Sequence, residues 1–114
     1  DDFFLFITIE KDKFSKASNY HNAFISKETF TYSSKPSHTQ DKGDGKRLCE
    51  NKTSKVKLHI FVRKFSHVDK KVQGFIYLGL ANSSKYEGNK PINLELKLEN
   101  SLSDKLFEEF TRVV

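Results

Sequence analysis

Between residues 55 and 64 the chain alternates without a break, with Val56, Leu58, Ile60 and Val62 interleaved with Lys57, His59, Phe61 and Arg63. Successive side chains of a strand point to opposite faces, whereas a helix would spread the four aliphatic residues around its circumference. The segment is therefore a strand with one face on a core, where Val56, Leu58, Ile60 and Val62 are buried together. Its second face is basic and carries one aromatic ring, with Lys57 and Arg63 pointing away from the core. Such a strand is not stable alone and needs neighbours.

The rest of the chain offers them. Ile92, Leu94, Leu96 and Leu98 alternate with Asn93, Glu95, Lys97 and Glu99, a strand with one face in water. Phe75-Ile76-Tyr77-Leu78-Gly79-Leu80 reads as another strand, with Gly79 marking a bulge or a close backbone approach. Phe3-Phe4-Leu5-Phe6-Ile7-Thr8-Ile9 has no polar set in either alternation, which predicts a strand buried on both faces. Phe30-Thr31-Tyr32-Ser33 predicts a short strand, and Glu87-Gly88-Asn89-Lys90-Pro91 a turn.

Between these lie less regular stretches. Residues 11–26 have no clean period and read as a short helix or an irregular loop. Residues 34–55 are almost free of apolar side chains, holding only Leu48 and Cys49, and read as one long loop, a length that is usually functional or mobile. Ser66-His67-Val68-Asp69-Lys70-Lys71 reads as a hairpin loop. The end is helical: Ser101-Leu102-Ser103-Asp104 resembles a capping box, and Leu102, Leu106, Phe107, Phe110 and Val113 fall on one stripe.

These elements predict a mainly β (α+β) domain, about five or six strands curled into a barrel or half-barrel to dispose of their edges, with a C-terminal helix. Eleven Phe and four Tyr make a core possible despite a 36% hydrophobic content. Residues 1–114 read as one domain. The chain opens without Met and runs from Asp1-Asp2 straight into an apolar strand, so it reads as a domain excised from a larger protein. One cysteine leaves no intramolecular disulfide, which fits a reducing, cytoplasmic setting. No run approaches the roughly 18 apolar residues of a membrane span, so no membrane partner is expected.

The net charge of +5 is unevenly placed. Residues 33–85 carry twelve Lys and Arg against four acids, or +8, between flanks of −1 and −2. Clustered cations displace the counterions condensed on phosphate chains, so the block is either a polyanion footprint or a solvated face.

Catalytic and metal constellations are missing from the pattern. Glu95-Leu96-Lys97 has the spacing of a metal-dependent nuclease strand, but the nearest upstream acids, Asp69 and Glu87, sit in expected turns. Cys49 has no orienting partner beyond scattered histidines, and His21, His38, His59 and His67 show no paired metal-ligand spacing. Gly43-Asp44-Gly45-Lys46 lacks P-loop spacing and reads as loop glycines. The domain is expected to be non-catalytic and without cofactor or metal.

Binding has more support. His59, Phe61 and Arg63 share a strand face with two lysines, and an aromatic among cations can stack a base while its neighbours hold phosphates. Phe61 reads equally as core packing in a closed barrel. The fork of Arg63 suits a guanine edge or a phosphate. Tyr32, Ser33, Ser34, Lys35 and His38 open the basic loop, and Lys46 and Arg47 close it; such a loop suits entry into a groove.

Three strings, Leu58-His59-Ile60-Phe61-Val62-Arg63-Lys64, Gly74-Phe75-Ile76-Tyr77-Leu78-Gly79 and Gly88-Asn89-Lys90-Pro91-Ile92, resemble in order and spacing one uncharacterised domain. It is the C-terminal domain of bacterial superfamily II helicase-like proteins that often also carry a phospholipase-D-type nuclease domain. The stretch from Phe4 to Lys11 and Phe30-Thr31-Tyr32-Ser33-Ser34 extend the likeness over most of the chain. The resemblance implies a restriction- or defence-type parent whose accessory β-barrel recognises double-stranded DNA, with the helicase and nuclease domains of the same chain as further partners. A modified base or backbone is among the features such a barrel would read. That family has a tryptophan followed by a glutamine-serine-glutamine string where this chain has Tyr32-Ser33-Ser34-Lys35, so any specificity set there differs. The rival reading is an assembly module that docks on the helicase body without touching DNA.

Overall fold

The computed structural model describes residues 1–10, 22–65 and 67–111. Its elements are β1 (Asp2–Glu10), β2 (Thr29–Ser33), α1 (Gly43–Cys49), β3 (Lys57–Phe65), β4 (His67–Val68), β5 (Lys71–Val72), β6 (Ile76–Glu87), β7 (Asn93–Leu98) and α2 (Asp104–Thr111). Most of residues 11–26 lie outside the described residues, as do Ser66 and Val113. The fold is mainly β: a five-stranded curled half-barrel sheet in the order β1-β3-β6-β7-β2, a two-stranded β4-β5 ribbon, and two helices among the described residues.

The alternation in β3 resolves as its pattern requires. Leu58, Ile60 and Val62 are wholly buried and Val56 nearly so, while Lys57 is exposed on the opposite face. In β7, Leu94, Leu96 and Leu98 join the same core, which Leu5 and Ile7 of β1 and Phe30 of β2 complete. β1 runs parallel to β3 in register Phe4↔His59 and Phe6↔Phe61, and the other pairings in the sheet are antiparallel. Gly79, at φ +89°, sits at a bulge where Ile60 pairs with Gly79 and Phe61 with Tyr77, leaving Leu78 as the extra residue. A second irregularity, between Ser83 and Lys85, falls where β6 continues along β7.

Three expectations are corrected. β1 is buried on one face only: Phe4 and Phe6 are 56% and 58% exposed. Its second face carries the Phe4 and Phe6 rings, which pack sideways on His59 and Phe61 of β3. Residues 34–55 are not one loop, because 43–49 form α1, which buries Gly45, Leu48 and Cys49. A Cβ on Gly45 would lie 2.1 Å from the Thr39 carbonyl oxygen, so glycine is what lets this helix approach the preceding backbone. β6 runs to Glu87, well past Leu80, since its polar half is held by pairing with β7.

Buried Asn51 fastens the end of α1 to the sheet. Its Nδ2 donates to the Val56 carbonyl (3.2 Å) and Asn82 Oδ1 (2.9 Å), and its Oδ1 accepts the Ser83 N–H (2.9 Å). Helix α2 is capped by Ser103, two residues later than the box that starts at Ser101, its Oγ accepting the Leu106 N–H at 3.1 Å. Asp104 instead pairs with Lys27, which holds its carboxyl below the usual carboxylate range. Phe110 is buried and lies parallel to Phe24, with ring centroids 5.5 Å apart, and Phe24 leans on Phe30. The terminal helix thus closes the β2 end of the core.

Candidate nucleic-acid interface

The β1-β3-β6 half of the sheet turns an aromatic surface outward. Strand parity puts Phe4 and Phe6 of β1, His59 and Phe61 of β3 and Tyr77 of β6 on the face opposite the core. The rings form a ladder across the strands. Phe4 and His59 stack at 4.9 Å and 17°, and Phe6 and Phe61 at 4.8 Å and 18°. Phe61 meets Tyr77 at 4.9 Å, and Phe75 closes on Phe6 edge-on at 5.2 Å. Tyr77 is half exposed, and its hydroxyl lies 2.8 Å from His59 Nδ1. The other ring nitrogen of His59 is 3.4 Å from an Asp2 carboxylate oxygen.

Arg63 ends the ladder. Its guanidinium sits 4.3 Å from the Phe75 centroid, with Nε donating to Thr8 Oγ1 (3.0 Å) and Nη1 to the Gln73 carbonyl (3.1 Å). A cation over a ring face adds attraction beyond burial, and these bonds fix the guanidinium plane. Lys57 lies on the same face of β3, and the ribbon that follows β3 exposes Lys70 and Lys71.

The remaining outer face, over β6, β7 and β2, is polar. There Thr31, Ser33, Lys85, Glu87, Asn93 and Glu95 line a groove of about 770 Å³. Ser33 Oγ donates to Asn93 Oδ1 at 2.9 Å, and Lys85 and Glu95 lie 3.8 Å apart. With Glu87 and Glu95 against Lys85 alone, the groove lining is net negative, which gives a polyanion little purchase.

Residues 1–110 match the family model described as Domain of unknown function (DUF3427). The chain belongs to the DUF3427 family. No curated protein matches it. For this DUF3427 domain, the ten residues singled out from the sequence fall into three separate places.

His59, Phe61 and Arg63 are together on the aromatic face, and Phe61 lies outside the core, stacked and half-buried. Tyr32, Ser33, Ser34, Lys35 and His38 lie at the far end, beside the 88–91 turn, where the Lys90 N–H donates to the His38 carbonyl. Tyr32 is turned toward the core, and its desolvation raises the phenol pKa. Ser34 is buried and clamps Ile92: its N–H donates to the Ile92 carbonyl, and its Oγ accepts the Ile92 N–H, both at 2.9 Å. It holds the fold in place and has no surface to offer a ligand. Lys35 is exposed.

Lys46 and Arg47 are on α1. Lys46 is exposed, whereas Arg47 pairs with Asp1, lies 3.5 Å from Asp44 and covers the Phe3 ring at 5.1 Å. Buried Cys49 is no nucleophile near neutral pH, because desolvation, with Glu50 adding to it, pushes its thiol up to about 11. No group of three or more His, Cys, Asp or Glu side chains converges as metal ligands among the described residues. Among them, too, no helix is long and apolar enough to cross a membrane.

Phe4, Phe6, Phe75 and Tyr77 were not among the residues singled out. The signal for two of them was in the spacing: Phe4 and Phe6 are two apart, as are His59 and Phe61. Joining the pairs required knowing that β1 lies parallel to β3.

Proposed function

We propose that this DUF3427 domain is a DNA-recognition module that uses the outer face of β1, β3 and β6. The observation that carries the reading is the half-exposed aromatic ladder bounded by Lys57 and Arg63, whose β3 and β6 members come from the segment that holds most of the positive charge. Rings supply stacking, and the cations hold phosphate and confer salt dependence. A restriction- or defence-type helicase–nuclease parent and a preference for modified DNA rest on the resemblance of the three strings described above. Comparing methylated with unmodified duplexes tests the second of these.

The rival reading, docking on another domain of the parent chain, is favoured by one observation: Phe4, Phe6 and Tyr77 expose apolar area on one face of the sheet. Patches of this kind also mark protein interfaces. A titration against labelled DNA over a salt series, with base-free polyphosphate as the comparison, separates the two. DNA recognition requires tighter binding to DNA than to polyphosphate and a falling log affinity with log salt. Lys57→Ala should flatten that slope by roughly one unit. Arg47→Ala should change it less, since its charge is already met by Asp1 and Asp44. Absence of binding to either polymer at low salt, with the domain folded, would leave the docking reading in front.

A further inference from the structure

Building on the DNA-binding reading, we infer that the aromatic face takes an unpaired strand, with bases stacked on Phe4 and Phe6, in preference to duplex. In a duplex each base face is covered by its neighbours, and only base edges and phosphates are open to a protein. Phosphate contacts need cations but no rings, so duplex binding gives these phenylalanines nothing to do. An unpaired strand offers free π-faces, which aromatic side chains on a sheet can meet whatever the base.

The spacing agrees with that class of ligand. Phe4 and Phe6 are two residues apart on one strand, which places them about 6.6 Å apart along it. That is nearly twice the roughly 3.4 Å between stacked bases of a duplex strand. Adjacent bases can therefore occupy both rings only after unstacking from each other, which a paired strand resists. Each of these rings is offset-parallel to its neighbour on β3 and more than half exposed, so the stack can be extended outward at the β1 edge. The charge fits a backbone running along the strands. Lys57 lies toward one end of the ladder, and Arg63, with the Lys70-Lys71 ribbon following it, lies toward the other. Asp2, beside His59, is an acid on this face, and it weakens the field at the Lys57 end.

Fluorescence anisotropy on the whole 114-residue chain tests this, with labelled oligothymidylate and a hairpin duplex of matched phosphate number as probes. Phe4→Leu and Phe6→Leu are the informative variants, because leucine keeps apolar area but has no π-face. Thermal melts establish that each variant is folded, and sedimentation reports self-association. The expected result is tighter binding to oligothymidylate than to duplex, with each variant weakening only the unpaired strand, by roughly 5- to 150-fold. Equal or tighter duplex binding that ignores both variants overturns the inference and leaves the DNA-binding reading standing. No binding to either probe overturns both. Self-association that both variants abolish, without oligothymidylate binding, would identify the face as an interface between copies and overturn the inference.

Discussion

Truncating Phe110 and truncating Phe6 should have very different costs, although each ring stacks nearly parallel on another phenylalanine. Phe110 is 4% exposed and Phe6 58%. Phe110→Ala removes a fully buried ring and leaves a cavity between α2 and Phe24, for which about 3–5 kcal/mol is typical. A chain of this length has a total stability of roughly 6–17 kcal/mol. At about 4 °C per kcal/mol the melting temperature should fall by roughly 12–20 °C. Phe6→Ala gives up the contacts with Phe61 and Phe75 but little burial, so about 0.5–1.5 kcal/mol is at stake. That corresponds to roughly 2–6 °C by the same conversion. Calorimetric melts of both variants, with urea titrations to confirm an unchanged m-value, make the comparison. Equal shifts for the two, or a Phe110→Ala melt within 2 °C of wild type on that about 4 °C per kcal/mol scale, would refute the assignment of core and outer faces.

Asn51→Leu should cost about 1–3 kcal/mol in a urea titration, because the Ser83 N–H loses its buried acceptor; an unchanged midpoint would show that Asn51 is not the fastening between α1 and β6. Cys49 should resist a thiol reagent at pH 8 in the native state and react fully in urea. Its folded pKa lies above the ordinary 9.0, so the neutral thiol is the form the fold favours. The contribution to stability is therefore complete below about 9 and is lost as pH rises toward 11. Cys49→Ala should remove that part of the alkaline decline, and an identical decline in the variant would assign it elsewhere.

What the sequence made legible follows from how local each signal is. The alternations of β3 and β7 were readable because one face is aliphatic and the other is not, and the Gly79 bulge and the turn at Gly88 were readable from glycine placement. β1 was misread because phenylalanines at Phe4 and Phe6 look buried in a linear pattern, while their exposure is set by the sheet around them. Helix α1 was missed because it has seven residues, two of them glycine, and no side-chain cap. What permits it is the missing side chain of Gly45, which lets the helix close on the preceding Thr39 backbone, a packing demand that helix propensity does not encode. The site was legible to the same extent. His59, Phe61 and Arg63 follow from strand parity, but the rings that complete the ladder come from β1 and β6 by long-range pairing. Ser34 and Arg47 looked available because burial by Ile92 and neutralisation by Asp1 are equally non-local.

The parallel pairing of β1 with β3 has a consequence for how the chain is made. Asp2 must wait for Lys57, 55 residues later, before its strand has a partner. At the roughly 5–20 residues per second of synthesis, that wait is about 3–11 s. The strands β3, β6 and β7 form a local meander that closes early, whereas β1 and β2 join its two edges from far upstream. Until β1 docks, Leu5, Ile7, Phe4 and Phe6 all face water on a nascent chain whose partner strand does not yet exist. That is the interval in which a holding chaperone has most to protect, and in which two nascent copies are best placed to pair with each other.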